Sequence, residues 1–250
     1  MRAVLSAARV LFPLLAFLVS SLAWAAGEVA SVVSLTGTVS ARGKDGSMRV
    51  LAPASVLRPG DVVQTEKDSG VNLKFSDGGR VALRANTRFE IESYRFDLPK
   101  AEEDNASFRL LKGGMRTLTG LIGKRGNQES YQNKTPTATV GIRGTDYALL
   151  LCANADPGCQ DLVVPASFKG SDGWVPQGLY LSVFEGKINV ANRAGEMDFA
   201  AGKTGYVRDF DTLPRELEME EGMAREYLGF HGLFNLLTPL DANPQACLVR

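Results

Sequence analysis

Between Val29 and Val207 short β-favouring runs recur every few residues, and glycine, proline or aspartate separates each run from the next. Val71-Asn-Leu-Lys-Phe75 alternates apolar and polar side chains, the period of a strand with one face buried. Asp77-Gly78-Gly79 follows as a turn, then Val81-Ala-Leu-Arg84 and Phe89-Glu-Ile-Glu92. Leu57-Arg-Pro-Gly-Asp61 is another turn and opens the run Val62-Val63. Asp77-Gly78-Gly79 needs no metal, since calcium takes six to eight oxygens and no acidic repeat supplies them. The spacing predicts an all-β domain of short strands, a β-solenoid or a β-sandwich. It also predicts a strand on each side of Gly113-Gly114, and a hairpin from Gly178–Gly186 into Lys187–Val190.

Helical spacing enters only near the end. Leu213, Leu217, Met223, Tyr227, Phe230, Phe234 and Leu237 fall mostly at helical intervals, with Pro214 suited to a first turn. Gly222, Gly229 and Gly232 divide the stretch into two short helices. Residues 209–250 are therefore expected to form a short helical cap or tail. Such a segment serves either to cover an end of the β domain or to bind a partner. Residues 26–208 form the expected β domain.

The first 25 residues have the anatomy of a secretory signal peptide. Arg2 and Arg9 give the basic region, Val10–Val19 the apolar run, and Ala23-Trp24-Ala25 the cleavage box. The run is shorter than the roughly 20 residues a spanning helix needs. The expected product is a periplasmic or secreted protein without a membrane anchor. Removing the signal takes two arginines from 28 basic residues and none from 28 acidic ones, leaving 26 against 28. That near balance offers no basic field for nucleic acid.

Cysteine use fits the same address. Cys152 and Cys159 bracket Ala-Asn-Ala-Asp-Pro-Gly, a turn sequence that favours a small disulfide loop in an oxidising compartment. A metal reading is weaker, because the spacing is long and His231 is the only histidine. Cys247 is left over as a free thiol, an intermolecular link or an exchange partner.

Catalytic patterns are thin. His231 sits in an apolar stretch with no Gly-x-Ser-x-Gly elbow to serve. The acidic runs Glu102-Glu-Asp104 and Glu218–Glu221 read as solvated faces rather than acid–base pairs. The glycine pairs at 78–79 and 113–114 lie between strands and not before a helix, so they are turns and not phosphate cradles. The expectation is a protein that is not an enzyme, with no catalytic residue, cofactor or metal.

The densest motif is Thr135-Pro-Thr-Ala-Thr-Val-Gly-Ile-Arg-Gly-Thr-Asp-Tyr147. With Gly37-Thr-Val39, Leu57–Thr65, Ser69–Gly78, Asn86-Thr87, Val183-Phe-Glu-Gly186 and Gly202-Lys-Thr-Gly205, it resembles the FecR family over roughly Val32–Val207. That resemblance implies an all-β periplasmic domain that binds rather than catalyses. In well-known members it passes a signal from an outer-membrane siderophore receptor to a cytoplasmic sigma factor. This sequence shows neither a cytoplasmic N-terminal domain nor a spanning helix, so direct sigma inhibition does not carry over. The implied role is an interaction module in envelope signalling or assembly, with an envelope protein as partner.

Within the motif Arg143, Asp146 and Tyr147 are the candidate interaction residues. Arg143 either meets a carboxylate of a partner or glycan, or pairs internally with Asp146 to lock Gly141 and Gly144. A carbohydrate or peptidoglycan partner is the rival reading, resting on Trp174, Tyr180 and Tyr206 as exposed rings.

Overall fold

The structure is a computed structural model and describes residues 27–125, 129–159, 162 and 164–218. The expected signal peptide, His231, Cys247 and the helical tail beyond residue 218 lie outside the described residues.

In chain order the strands are β1 (Ala30–Thr36), β2 (Val39–Arg42), β3 (Met48–Val50), β4 (Val56–Leu57), β5 (Val62–Thr65), β6 (Gly70–Phe75), β7 (Arg80–Leu83) and β8 (Arg88–Arg95). They continue with β9 (Asn105–Leu118), the single-turn helix α1 (Ile122–Arg125), β10 (Tyr131–Lys134) and β11 (Thr139–Cys152). β12 (Gly178–Asn192), β13 (Gly195–Ala200), β14 (Thr204–Val207) and β15 (Arg215–Glu216) complete the set.

The fold is all-β, and three long strands organise it. One sheet, sheet I, runs β3-β2-β5-β8-β9-β10-β11-β12-β13. The other, sheet II, runs β4-β1-β6-β7-β9-β11-β12-β14-β15. β9, β11 and β12 belong to both, so the hydrogen-bonded network is continuous and folds back on itself. Every pairing is antiparallel except β9 with β10. Stacked parallel coils are thus not the arrangement; the layers face each other as in a sandwich.

Two expected turns are strand interiors instead. Gly113-Gly114 lies inside β9, and Gly178–Val190 is one continuous piece of β12. The strands bend at these glycines and do not reverse. Gly113 has φ +79°, and a Cβ there would stand 2.6 Å from Thr87 Cα. Thr87 Oγ1 accepts from the Gly114 N–H at 3.0 Å and donates to its carbonyl at 3.1 Å, which fixes the bend. Gly186 has φ +74°, and its missing Cβ would fall 2.4 Å from the Gly144 carbonyl oxygen. Glycine alone fits such positions.

The core fills the space between the sheets. Phe75 of sheet II meets Phe108 of sheet I edge-on at 5.1 Å, and Phe108 contacts Phe89 and Tyr131 at 5.4 and 5.3 Å. Each such ring adds about 1.5–3 kcal/mol by burial. The expected Asp77 turn joins β6 to β7, but its carboxylate also accepts from the N–H of Gly79 at 2.9 Å and of Ile122 at 3.2 Å. Asp104 is likewise no solvated acid: it is buried and holds Arg125 Nε at 3.0 Å.

A second, smaller core lies on the outer face of sheet II. Ala148, Leu150, Cys152, Tyr180 and Tyr206 pack there under Leu162, Val164 and Val175 of the segment after β11. The Cys152–Cys159 disulfide staples that segment down. Strand pairing also extends past residue 208, because β15 adds to β14 and buries Leu217.

Candidate functional site

The Thr135–Tyr147 motif is a turn followed by a strand that changes sheets. Thr135 Oγ1 accepts from the Ala138 N–H at 3.0 Å and donates to its carbonyl at 2.9 Å, closing the β10–β11 turn around Pro136. Beyond it β11 alternates. Val140 and Ile142 point into the core, while Thr139, Gly141 and Arg143 face out from sheet I. At Gly144 (φ +59°) the register shifts, and Thr145 donates its N–H to Thr119 Oγ1 at 2.9 Å. The rest of β11 belongs to sheet II.

That shift separates the three candidate residues. Tyr147 is fully buried; Asn133 Nδ2 donates to its hydroxyl, and burial pushes the phenol up to about 12. Asp146 does not pair with Arg143. It is held by Arg116, Nε to Oδ1 at 2.9 Å and Nη2 to Oδ2 at 2.5 Å, and the guanidinium also lies 4.4 Å from the Phe184 ring centre. Arg143 is exposed and has no side-chain hydrogen bond or ion pair among the described residues.

Arg143 borders a trough of about 500 Å³ on the outer face of sheet I. Its floor is the row Gln132–Gly141–Asn189–Asp198, one residue from each of β10 to β13. Arg143 and Lys187 stand directly opposite each other on one rim; Thr139, Ala191 and Glu196 form the other. Lys187 forms an ion pair with Asp198, which also accepts from Asn189 Nδ2 at 2.9 Å. Those two donors, Lys187 first, hold the Asp198 carboxyl below the usual range. Glu129 lines the β10 side.

The same face continues toward β8. Glu92 is gripped by Arg109 and, at 2.8 Å, by Lys134, and Ser107 donates to it at 2.9 Å. Burial pulls that carboxyl upward, and the three donors more than offset it, so Glu92 stays below the ordinary value. Sheet I thus presents a polar, charge-laced outer face, whereas the apolar outer face of sheet II is covered.

The rings proposed for a glycan are part of that cover. Tyr180 and Tyr206 are buried, donate to the carbonyls of Pro176 and Gln177, tilt against each other and meet Phe168 edge-on. Trp174 is half-buried in the loop above them. They form no open aromatic platform. Among the described residues no group of three or more His, Cys, Asp or Glu could hold a metal.

Residues 61–189, just over half of the chain, match the family described as FecR protein. The chain belongs to the FecR family. The matched segment runs from the buried Asp61 to Asn189 of the trough, and so contains the whole signature but is shorter than the Val32–Val207 stretch of resemblance. No curated protein matches this FecR chain. Two crystal structures of a candidate anti-sigma factor from Parabacteroides distasonis are similar to it at 14% identity, with TM-scores of 0.43 and 0.41. Each alignment covers 62% of this chain and 58% of the other. A structure described as a cell surface anchoring domain matches 25% of the chain and 82% of its own length, at 24% identity and a TM-score of 0.24.

Most of the trough is not legible in the sequence. Gln132, Lys187, Asn189 and Asp198 meet Gly141 only through strand register, and their spacing along the chain carries no pattern. Arg116 is not legible either, since it lies thirty residues from its carboxylate. The available signal was the period-two alternation of Thr139, Gly141 and Arg143.

Proposed function

We propose that this FecR-family protein is an exported, non-catalytic interaction module that docks an envelope protein in signalling or assembly through the outer face of sheet I. The observation that carries this reading is the division of the signature. Val140, Ile142, Asp146 and Tyr147 are consumed by the fold, while Arg143, without a partner among the described residues, stands on an open polar trough. A guanidinium without an internal partner suits two-point recognition of a carboxylate on another molecule.

Other features support the same reading. The disulfide and the signal-peptide anatomy favour a periplasmic or secreted address. Family membership favours a protein partner.

The test is crosslinking in intact cells, with tagged protein recovered and its adducts identified, beside an Arg143→Ala variant that retains its circular dichroism and melting point. A defined envelope protein captured by the wild type and lost from the variant supports the reading. Equal capture by both moves the contact away from this face.

A further inference from the structure

Resting on that reading, we infer that the trough seats an extended, acidic peptide segment of the partner, with its main chain crossing Gly141 and a carboxylate held by Arg143.

Gly141 is the first observation. Unlike Gly113 and Gly186, it does not adopt a positive φ. A Cβ built on it would meet nothing nearer than the Asn189 carbonyl oxygen, at 4.0 Å. Neither backbone conformation nor internal packing therefore calls for glycine here. Glycine inside a strand costs stability, and such a position commonly marks the close approach of a ligand or another backbone. Its outward side is the floor of the trough.

The second observation is the shape of that floor. Gln132, Gly141, Asn189 and Asp198 lie on four adjacent strands. At about 4.8 Å per strand the row spans roughly 14 Å, the length of about four extended residues. The amides of Gln132 and Asn189 carry both donors and acceptors, which suits a peptide backbone lying across them.

Charge selects the peptide. Arg143 and Lys187 face each other directly, a like-charge pair that repels on a sheet. Lys124 approaches the same end, beside Gly144. Asp198 answers Lys187, but among the described residues nothing answers Arg143. Glu196 on the opposite rim directs an incoming carboxylate toward Arg143 by repulsion.

The test is selection from a displayed library of random linear peptides on the purified protein with its disulfide intact. Winners and their Glu→Gln or Asp→Asn versions are then titrated against wild type, Arg143→Ala, Arg143→Lys, Gly141→Val and, as a control, Arg88→Ala, in a separate groove lined by Val62, Arg88 and Glu90 of β5 and β8. The expected winners are acidic. Removing their acid or Arg143 weakens binding about tenfold or more, in line with a charge-assisted hydrogen bond. Arg143→Lys recovers part of the loss, Gly141→Val abolishes binding without lowering the melting point, and Arg88→Ala has no effect. Winners that need Arg143 and Gly141 but carry no acid overturn the ligand class and leave the face standing. Basic winners overturn it too, by pointing to Glu196. Winners indifferent to both substitutions overturn the trough and the proposed docking face together.

Discussion

Arg116 grips Asp146 at two points, and the two side chains are only 8% and 13% exposed. The pair ties β9 to β11 where β11 leaves sheet I, and it removes from Arg143 the acid nearest in sequence. Among the described residues Arg143 has no partner, and the acid nearest to it in sequence is already taken.

The two arginines should therefore behave in opposite ways. Arg116→Met strands a buried carboxylate and is expected to cost about 3–5 kcal/mol. Arg143→Ala removes an exposed side chain and should change stability by less than about 0.5 kcal/mol. Urea unfolding midpoints check both. A comparable loss in the two variants contradicts the assignment of Asp146 to Arg116.

Glycines separate in the same manner. Gly113→Ala forces a side chain into a left-handed conformation and against Thr87 Cα, so a loss of about 2–4 kcal/mol is expected. Gly141→Ala meets open space and should raise stability by about 0.5–1 kcal/mol. Thermal melts decide the matter. A destabilised Gly141→Ala protein would show that the fold, and not a ligand, requires that glycine.

Strand class was legible because Val71–Phe75 and Phe89–Glu92 alternate at period two, and β6 and β8 contain those stretches. The disulfide was legible from compartment and turn chemistry. Gly113 and Gly186 misled because a glycine that bends a continuing strand and one that reverses the chain look alike in sequence. What separates them is a distant neighbour, Thr87 or Gly144, that no local pattern announces. Tyr180 and Tyr206 misled for a related reason. Sheet II has two apolar faces, and the loop that covers the outer one is held there by a crosslink, not by periodicity.

That crosslink should matter locally and globally. Replacing Cys152 and Cys159 together by alanine is expected to cost about 2–3 kcal/mol, the loop-closure entropy of so short a ring. Limited proteolysis should then cut within residues 164–176 before it cuts any strand. Cleavage first in β6–β8 would contradict the view that this loop is a cover stapled onto a finished sandwich.

Buried phenols set the alkaline limit. Burial holds Tyr147 neutral up to about 12 and pushes Tyr94, Tyr131 and Tyr180 upward as well. An unfolded phenol ionises near 10, so above that pH the unfolded chain sheds protons that the folded one keeps. Stability is thus complete below about pH 10 and falls as pH rises toward 12. Tyrosinate absorbance and the far-ultraviolet dichroism signal should change together. An intact fold with most phenols ionised near pH 10 would refute the burial of these rings.

The most direct test of sheet I as the docking face is a photo-crosslinking residue placed in living cells at one position at a time. Asn189 lies on the trough floor, and Asp172 on the exposed loop that covers sheet II. A discrete adduct from position 189, lost when Arg143→Ala is added and missing from position 172, is the predicted result. Adducts from position 172 with none from 189 would contradict it and move the interface to the opposite side of the sandwich.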